Sequence, residues 1–183
     1  MDYIHYYQSP LGEIILTSDG KSLTGLSYDF PEMLLPFFIE KPLPIFSETD
    51  RWLDIYFSGK DPDFTPKLSL KVTGFRKMVW DILLTIPFGQ TITYGEIARR
   101  IAKQRGIPRM SAQAVGGAVG HNPIALIIPC HRVVGANGSL TGYAGGIDKK
   151  EQLLRLEQVD MSRLFVPKTR HSLHADQLTI PLR

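Results

Sequence analysis

The chain has 183 residues, of which 43% are hydrophobic and 21% charged, values typical of a soluble globular protein. This length suits one domain of ordinary size or two small ones. The single cysteine, Cys130, excludes an internal disulfide and a zinc site built on several thiolates. We therefore expect a reducing intracellular compartment, the cytoplasm or, in a eukaryote, the nucleus. No apolar run approaches the length of a membrane-spanning helix.

Charge divides the chain into two parts. Residues 1–70 contain five Lys or Arg and eleven Asp or Glu, whereas residues 71–183 contain sixteen and seven. The balances are −6 and +9, which together give the net charge of +3. This asymmetry predicts an N-terminal unit over 1–70 and a second unit over 71–160 that meets a polyanion. Residues 161–183 form an extension whose role the sequence does not indicate.

The first unit is predicted to be a small antiparallel sheet with one helix. Three short runs rich in β-forming residues, at 3–8, 13–18 and 23–28, are separated by turn sequences. The proline-rich passage that follows is predicted to be irregular, and a helix is expected from about 48 to 57. The sequence of this unit offers no catalytic combination of residues.

The second unit changes to helical periodicity. Apolar residues at helical spacing predict a helix from Phe75, while Thr93 and Ser111 are placed to cap two further helices. Those two resemble a helix-turn-helix with a long loop. Asp148 is expected to begin a final helix. The predicted fold class is α/β (α+β), a small N-terminal sheet domain followed by a mainly helical domain.

Positive charge is concentrated on the two capped helices and their loop. Five basic residues accompany one acid there, and they are Arg99, Arg100, Lys103, Arg105 and Arg109. This density suits phosphate binding, although a solvated cationic surface is the simpler alternative. The third helix contains Gly116 and Gly117, each of which costs about 1 kcal/mol relative to alanine. Small residues permit close approach of a neighbouring helix or of DNA, and the adjacent charge favours DNA.

Cys130 ends an apolar run and is followed by His131. A thiol is a useful nucleophile only as the thiolate, so a base or a positive charge must be close. Glu157 falls on the apolar face of the final helix, where a carboxylate needs a partner. Cys130, His131 and Glu157 are therefore candidates for nucleophile, base and orienting acid. The alternatives are a structural buried cysteine and a glutamate that snorkels to the surface or pairs with Arg155 or Arg163.

Several motifs, in this order, resemble those of the O6-alkylguanine-DNA alkyltransferases. They are Ala114-Val115-Gly116-Gly117-Ala118, Asn122-Pro123, Pro129-Cys130-His131-Arg132-Val133-Val134 and Gly142-Tyr143-Ala144-Gly145-Gly146. The similarity is specific from about residue 75 to 158 and weak in the N-terminal unit. It implies direct-reversal repair by a monomer that binds double-stranded DNA through the minor groove and rotates the damaged guanine into a pocket. Cys130 then accepts the alkyl group once, without a cofactor or metal, and activity on O4-alkylthymine is left open.

The resemblance also implies roles for individual residues. Tyr94 supplies a proton to guanine N3, Asn122 braces the turn at the cysteine, and His131 deprotonates Cys130 while Glu157 holds it. The predicted guanine-binding residues are Val133, Tyr143, Ala144 and Gly145. Besides the five basic residues named above, the predicted DNA contacts are Gln113, Ala114, Gly116, Gly117 and Arg132.

Two features depart from the family pattern. Gln113 stands where an arginine usually fills the space left by the flipped base, and the N-terminal unit lacks the cysteines with which some relatives bind zinc. Cys130 separates the chain from alkyltransferase-like proteins, which carry another residue there. Two other functions remain open, a non-catalytic lesion-binding module and, less favoured, a cysteine hydrolase that uses Cys130, His131 and Glu157.

Overall fold

In the computed structural model, which describes residues 2–168, the N-terminal part is built on a four-stranded sheet. The strands are β1 (Asp2–Ser9), β2 (Gly12–Ser18), β3 (Leu23–Ser27) and β4 (Phe38–Glu40), in the spatial order β3-β2-β1-β4. The first three pair antiparallel, as predicted, and the hairpin between β1 and β2 turns through only two residues. β4 lies parallel to β1 at the edge of the sheet.

The proline-rich passage is more regular than expected. It forms a 3-10 helix at Glu32–Phe37 and then β4, so the prediction of irregular structure was wrong there. A three-residue edge strand is too short to show an alternating pattern, so no periodicity in the sequence indicated β4. The helix α1 (Pro44–Phe57) begins earlier than predicted, because Pro44 occupies the first helical position, where its fixed φ is favourable.

The C-terminal part contains α2 (Gly74–Leu83), α3 (Tyr94–Arg105), α4 (Ala112–Gly120) and α5 (Ile147–Leu156). The predicted caps of α3 and α4 are confirmed, since Thr93 and Ser111 each accept a backbone hydrogen bond from the first turn. The expected capping box is only half formed, because the Glu96 carboxylate pairs with arginines of its own helix.

The start of α5 differs from the prediction. Gly146, with φ of +93°, is the residue before the helix, and Asp148 lies inside the first turn, where its charge suits the helix dipole. Glu157 follows the last residue of α5 and is 2% exposed. The helix therefore delivers Glu157 to the interior from its C-terminal end.

A two-stranded parallel sheet positions the two segments that carry the candidate catalytic residues. It joins β5 (Ile92–Thr93), which leads directly into Tyr94, to β6 (Val133–Val134), which follows the turn at Cys130. Tyr94 and Cys130 are thereby held on neighbouring segments although they are far apart in sequence.

Both parts of the chain share one hydrophobic core. Ile14 and Leu16 of the sheet belong to the same buried cluster as Ile97 of α3 and Ile128, just before the cysteine. The strand β3 also pairs with the segment before Cys130, since the Leu26 N–H donates to the Pro123 carbonyl at 2.9 Å. None of the helices within residues 2–168 is long and apolar enough to cross a membrane.

The predicted extension begins with a short 3-10 helix at Met161–Arg163. Phe165 then pairs with the Gly138–Leu140 turn through two backbone hydrogen bonds of 2.9 and 3.1 Å. Residues 169–183 lie outside the described part of the chain. For these residues the predicted extension over 161–183 therefore rests on sequence alone.

Candidate active site

Cys130 opens a tight 3-10 turn, Cys130–Arg132, and is 8% exposed. It lines a cavity of about 60 Å³, smaller than the roughly 300–1,000 Å³ typical of ligand sites. The other walls of that cavity include Tyr28, Asn122, Tyr143, Ala144 and Gly145. Burial raises the pKa of the Cys130 thiol, while Asn122 and Lys150 act in the opposite direction. The thiol is therefore accessible from one cavity and protonated until a base acts on it.

Asn122 bridges the two sides of the loop that ends at Cys130. Its amide donates to the Ile128 carbonyl at 2.7 Å, and its side-chain oxygen accepts from the Ile124 N–H at 3.0 Å. The same Ile128 carbonyl accepts from the Cys130 N–H at 2.8 Å. Asn122 thus contacts the turn it was expected to brace, and its part in the reaction stays a prediction.

His131 and Glu157 form a fully buried pair. The Nε2 of His131 lies 2.6 Å from Oε1 of Glu157, and neither side chain is exposed. A carboxylate oxygen at that distance accepts a hydrogen bond, so Nε2 carries the proton and Nδ1 has a free lone pair. Nδ1 is buried and makes no hydrogen bond within residues 2–168. This tautomer makes Nδ1 the atom that can act as a base.

The Glu157 carboxylate accepts from four residues. Besides His131, the donors are Nε of Arg132 at 2.8 Å, the Tyr56 hydroxyl at 2.7 Å and the Gly89 N–H at 3.1 Å. Burial acts to raise its pKa, but His131 and Arg132 outweigh burial and lower it to about 2. Burial lowers the pKa of His131. The cluster therefore contains a permanent cation, a permanent carboxylate and a neutral imidazole.

Arg132 does not lie where the resemblance to the family was taken to place it. It is 7% exposed, and its guanidinium binds Glu157 and the Ile86 carbonyl at 2.6 Å. The expectation of a DNA contact is therefore wrong for Arg132, because its donors are used inside the protein. Arg155, one of the two alternative partners for Glu157, instead pairs with Glu151 on the surface of α5.

Tyr94 and Lys150 meet at one carbonyl beside the cavity. The Tyr94 hydroxyl donates to the Thr141 carbonyl at 3.0 Å, and Nζ of Lys150 donates to the same oxygen at 2.7 Å. Lys150 also binds the Val133 carbonyl at 2.5 Å. Burial lowers the pKa of Lys150 to about 8, although Cys130 acts to raise it.

Three functional contacts come from residues that the sequence analysis did not select, namely Tyr28, Tyr56 and Lys150. Lys150 precedes Leu153 and Leu154 by three and four residues, so helical spacing already placed it on the buried face of α5. Tyr56 follows Leu53 at the same spacing on α1. No local signal identified Tyr28, which reaches the cavity only because the sheet packs there.

Tyr143, Ala144 and Gly145 form another wall of the cavity that Cys130 lines. Tyr143 is 8% exposed, while Ala144 is exposed and Gly145 half-buried. A Cβ added at Gly145 would come within 2.7 Å of the Tyr143 ring and 3.3 Å of Tyr28. Glycine is therefore required for the loop to lie this close to the two aromatic rings.

The candidate DNA-binding surface consists of α3, α4 and their loop. All five of its basic residues are exposed, although Arg99 and Arg100 share the carboxylate of Glu96. On α4 the exposed residues include Gln113, Ala114 and Gly117, and Gly116 is half-buried under Tyr94. An added Cβ at Gly117 would meet nothing within 4 Å, so no neighbouring helix explains that glycine. Ala114 and Gly117 face outward, as a surface for a close-fitting partner requires.

Comparison with known proteins gives the same family along nearly the whole described chain. Residues 74–159 match the model of the 6-O-methylguanine DNA methyltransferase DNA-binding domain. Residues 3–70 match that of the 6-O-methylguanine DNA methyltransferase ribonuclease-like domain. A methylated-DNA--protein-cysteine methyltransferase of Methanosarcina mazei is 46% identical over 158 residues, covering 85% of this chain and 97% of the relative.

Solved structures agree with the sequence comparison. The O6-methylguanine methyltransferase of Mycobacterium tuberculosis superposes with a TM-score of 0.75 at 42% identity, covering 94% of this chain and 99% of the other. A structure of OGT from the same organism in complex with DNA has a TM-score of 0.74 at 44% identity, with coverages of 88% and 94%. Sequence and fold together show that the chain belongs to the 6-O-methylguanine DNA methyltransferase family.

Proposed function

We propose that this protein repairs O6-alkylguanine in DNA by transferring the alkyl group to Sγ of Cys130. The observation that carries the proposal is the chain's single thiol, which faces a cavity and adjoins a buried histidine whose free Nδ1 can accept its proton. The relatives described above are named for this transfer, and one solved relative is bound to DNA.

In the reaction, the Cys130 thiolate attacks the alkyl carbon, an S–C bond forms and the bond between that carbon and O6 breaks. The thiol proton goes to Nδ1 of His131 through a bridging water, because no direct hydrogen bond joins the two side chains within residues 2–168. Glu157 stabilises the imidazolium that results, as the third member of a catalytic triad does. Guanine leaves with the electron pair of the broken bond, and a proton from Tyr94 at N3 neutralises it.

Tyr94 is suited to this role because its hydroxyl hydrogen bond is replaceable. When the hydroxyl turns to guanine, Lys150 still donates to the Thr141 carbonyl, so no buried acceptor is left without a partner. Asn122 fixes the turn. The carbonyls of Cys130 and Val133 accept hydrogen bonds from the guanine amine. Tyr143 forms the pocket wall, with the backbone of Ala144 and Gly145 at the O6 edge.

DNA binds to the surface formed by α3 and α4. Lys103, Arg105 and Arg109 contact phosphates and carry no base code, so affinity is general and dependent on salt. The outward-facing small residues of α4 let its backbone approach the minor groove. The target nucleotide then rotates out of the helix into the cavity, at a cost of a few kcal/mol, and Gln113 occupies the vacated space.

Intact mass spectrometry after incubation with a duplex carrying O6-methylguanine tests the proposal. We expect one added methyl group on the peptide that contains Cys130, formed once per protein molecule. Cys130→Ser should bind DNA with nearly unchanged affinity and gain no methyl group. Binding without any mass change in the wild type would favour a lesion-binding module. Repeated turnover of an ester or amide substrate would favour a cysteine hydrolase.

A further inference from the structure

Tyr56 lies in the last turn of α1, in the part of the chain where the sequence offered no catalytic residue. It is fully buried, and its ring stacks on Trp52 with centroids 5.2 Å apart. Phe88 makes an edge contact at 6.0 Å from the other part of the chain. Because apolar packing fixes the ring, the direction of the hydroxyl is also fixed.

That hydroxyl touches both members of the buried acid–base pair. It donates its single proton to Oε1 of Glu157 at 2.7 Å, and its oxygen lies 3.2 Å from Nε2 of His131. Since its proton is used on Glu157, the oxygen can only accept from the Nε2–H. Nε2 therefore faces two acceptors, which reinforces the tautomer in which Nδ1 is free.

We propose that Tyr56 is a positioning residue for alkyl transfer, which holds Glu157 and His131 in the arrangement that makes Nδ1 the base. The inference rests on the proposed function of Cys130. It assigns the acidic N-terminal part a direct share in the chemistry of the basic C-terminal part. The ends of α1 and α5 meet here, as the approach of a Cβ at Gly59 to within 3.8 Å of the Leu156 carbonyl indicates.

The other ionisable groups around the pair determine what loss of the hydroxyl does. Arg132 holds the far side of the carboxylate, and Lys150, Tyr143 and Cys130 face the region of His131. All of them remain when Tyr56 becomes phenylalanine, which also retains the ring. The substitution therefore frees the carboxylate and the imidazole to shift relative to each other and changes little else.

Tyr56→Phe should slow single-turnover transfer from O6-methylguanine in duplex DNA about tenfold near neutral pH, a fraction of the full general-base contribution. DNA affinity should not change. The deficit should shrink as the pH rises toward the raised pKa of the Cys130 thiol, where the thiol ionises without help from His131. Tyr7→Phe is the matched control, because the Tyr7 hydroxyl also donates to a carboxylate at 2.7 Å, that of Asp54, but on the exposed sheet.

A double-mutant cycle with Glu157→Gln tests whether Tyr56 acts through that carboxylate. Tyr56→Phe should cost little further in the Glu157→Gln background, since residues acting as one unit are not additive. Urea unfolding of each variant sets an assay temperature at which all are folded. A Tyr56→Phe rate equal to that of Tyr7→Phe, a deficit constant with pH, or additive effects would overturn the proposal. Failure of wild-type Cys130 to be methylated would instead refute the proposed function.

Discussion

Replacing Glu157 with glutamine perturbs the buried cluster at its centre. The amide presents N–H groups where one carboxylate oxygen accepted hydrogen bonds, and it leaves the buried Arg132 guanidinium without its counter-ion. Removing one partner of a buried ion pair costs about 3–5 kcal/mol. In a chain of this size each kcal/mol lowers the melting temperature by roughly 2–4 °C. We therefore expect the melting temperature of Glu157→Gln to fall by about 10 °C.

The free energy of unfolding lost in Glu157→Gln should decrease as the pH falls. The pKa of Glu157 is about 2 in the folded protein and 4.5 for the unperturbed group. A carboxylate with a lowered folded pKa contributes its full stability above the unfolded value. That contribution disappears as the pH falls through the folded value. The difference in free energy of unfolding between wild type and Glu157→Gln should thus shrink between about pH 4.5 and pH 2.

The same substitution should slow alkyl transfer, because His131 loses the charge that stabilises its protonated form. The apparent pKa of Cys130 should rise, and at pH 7 the rate should fall by about a hundredfold, within the range of general-base catalysis. Calorimetry, thiol titration and single-turnover transfer measure the three effects. Glu151→Gln is the control on the same helix, since its exposed pair with Arg155 is worth only about 0.3–0.5 kcal/mol. Wild-type melting and thiol titration in Glu157→Gln would refute this reasoning.

Three further substitutions separate the buried cluster from the DNA surface. Arg132→Met should lower the melting temperature and leave the salt dependence of DNA binding unchanged, as titrations at several salt concentrations can measure. A shallower salt dependence would indicate that Arg132 contacts DNA. Arg105→Gln, on exposed α3, should reduce the log–log salt slope by about 0.9 in the same titrations, and an unchanged slope would remove that residue from the interface. Gln113→Arg should accelerate repair in duplex DNA but not of single strands or free alkylguanine, because only the duplex requires extrusion. Equal gains on all three substrates would indicate a general effect of charge.

Local signals in the sequence were sufficient to predict α3 and α4, the helices that form the candidate DNA-binding surface. Thr93 and Ser111 cap their helices because a hydroxyl at that position satisfies a free N–H of the first turn, whatever the rest of the chain does. These predictions needed only neighbouring residues and were confirmed.

The cluster around Glu157 could be predicted only in part, because its members come from distant segments. Helical periodicity indicated that Glu157 points inward and needs a partner, and His131 was inferred as that partner. Nothing local distinguishes Tyr56 from any other tyrosine on a buried helix face. The resemblance to the family assigned Arg132 to DNA, yet the tight turn at Cys130 directs its guanidinium inward to Glu157. Packing between segments distant in sequence determines the contacts of both Tyr56 and Arg132 with Glu157.

The raised pKa of Cys130 fits the proposed function, in which each molecule transfers one alkyl group. A permanently ionised, exposed thiolate is open to oxidation, and each cysteine lost that way is a lost repair event. Burial keeps the thiol protonated, while Lys150 and the Asn122 amide partly oppose that effect. A thiol with a higher pKa is also the stronger nucleophile once its proton is removed. A thiol that keeps its proton until His131 removes it is therefore both protected from oxidation and strongly nucleophilic when it reacts. A constitutively low pKa could not provide both properties.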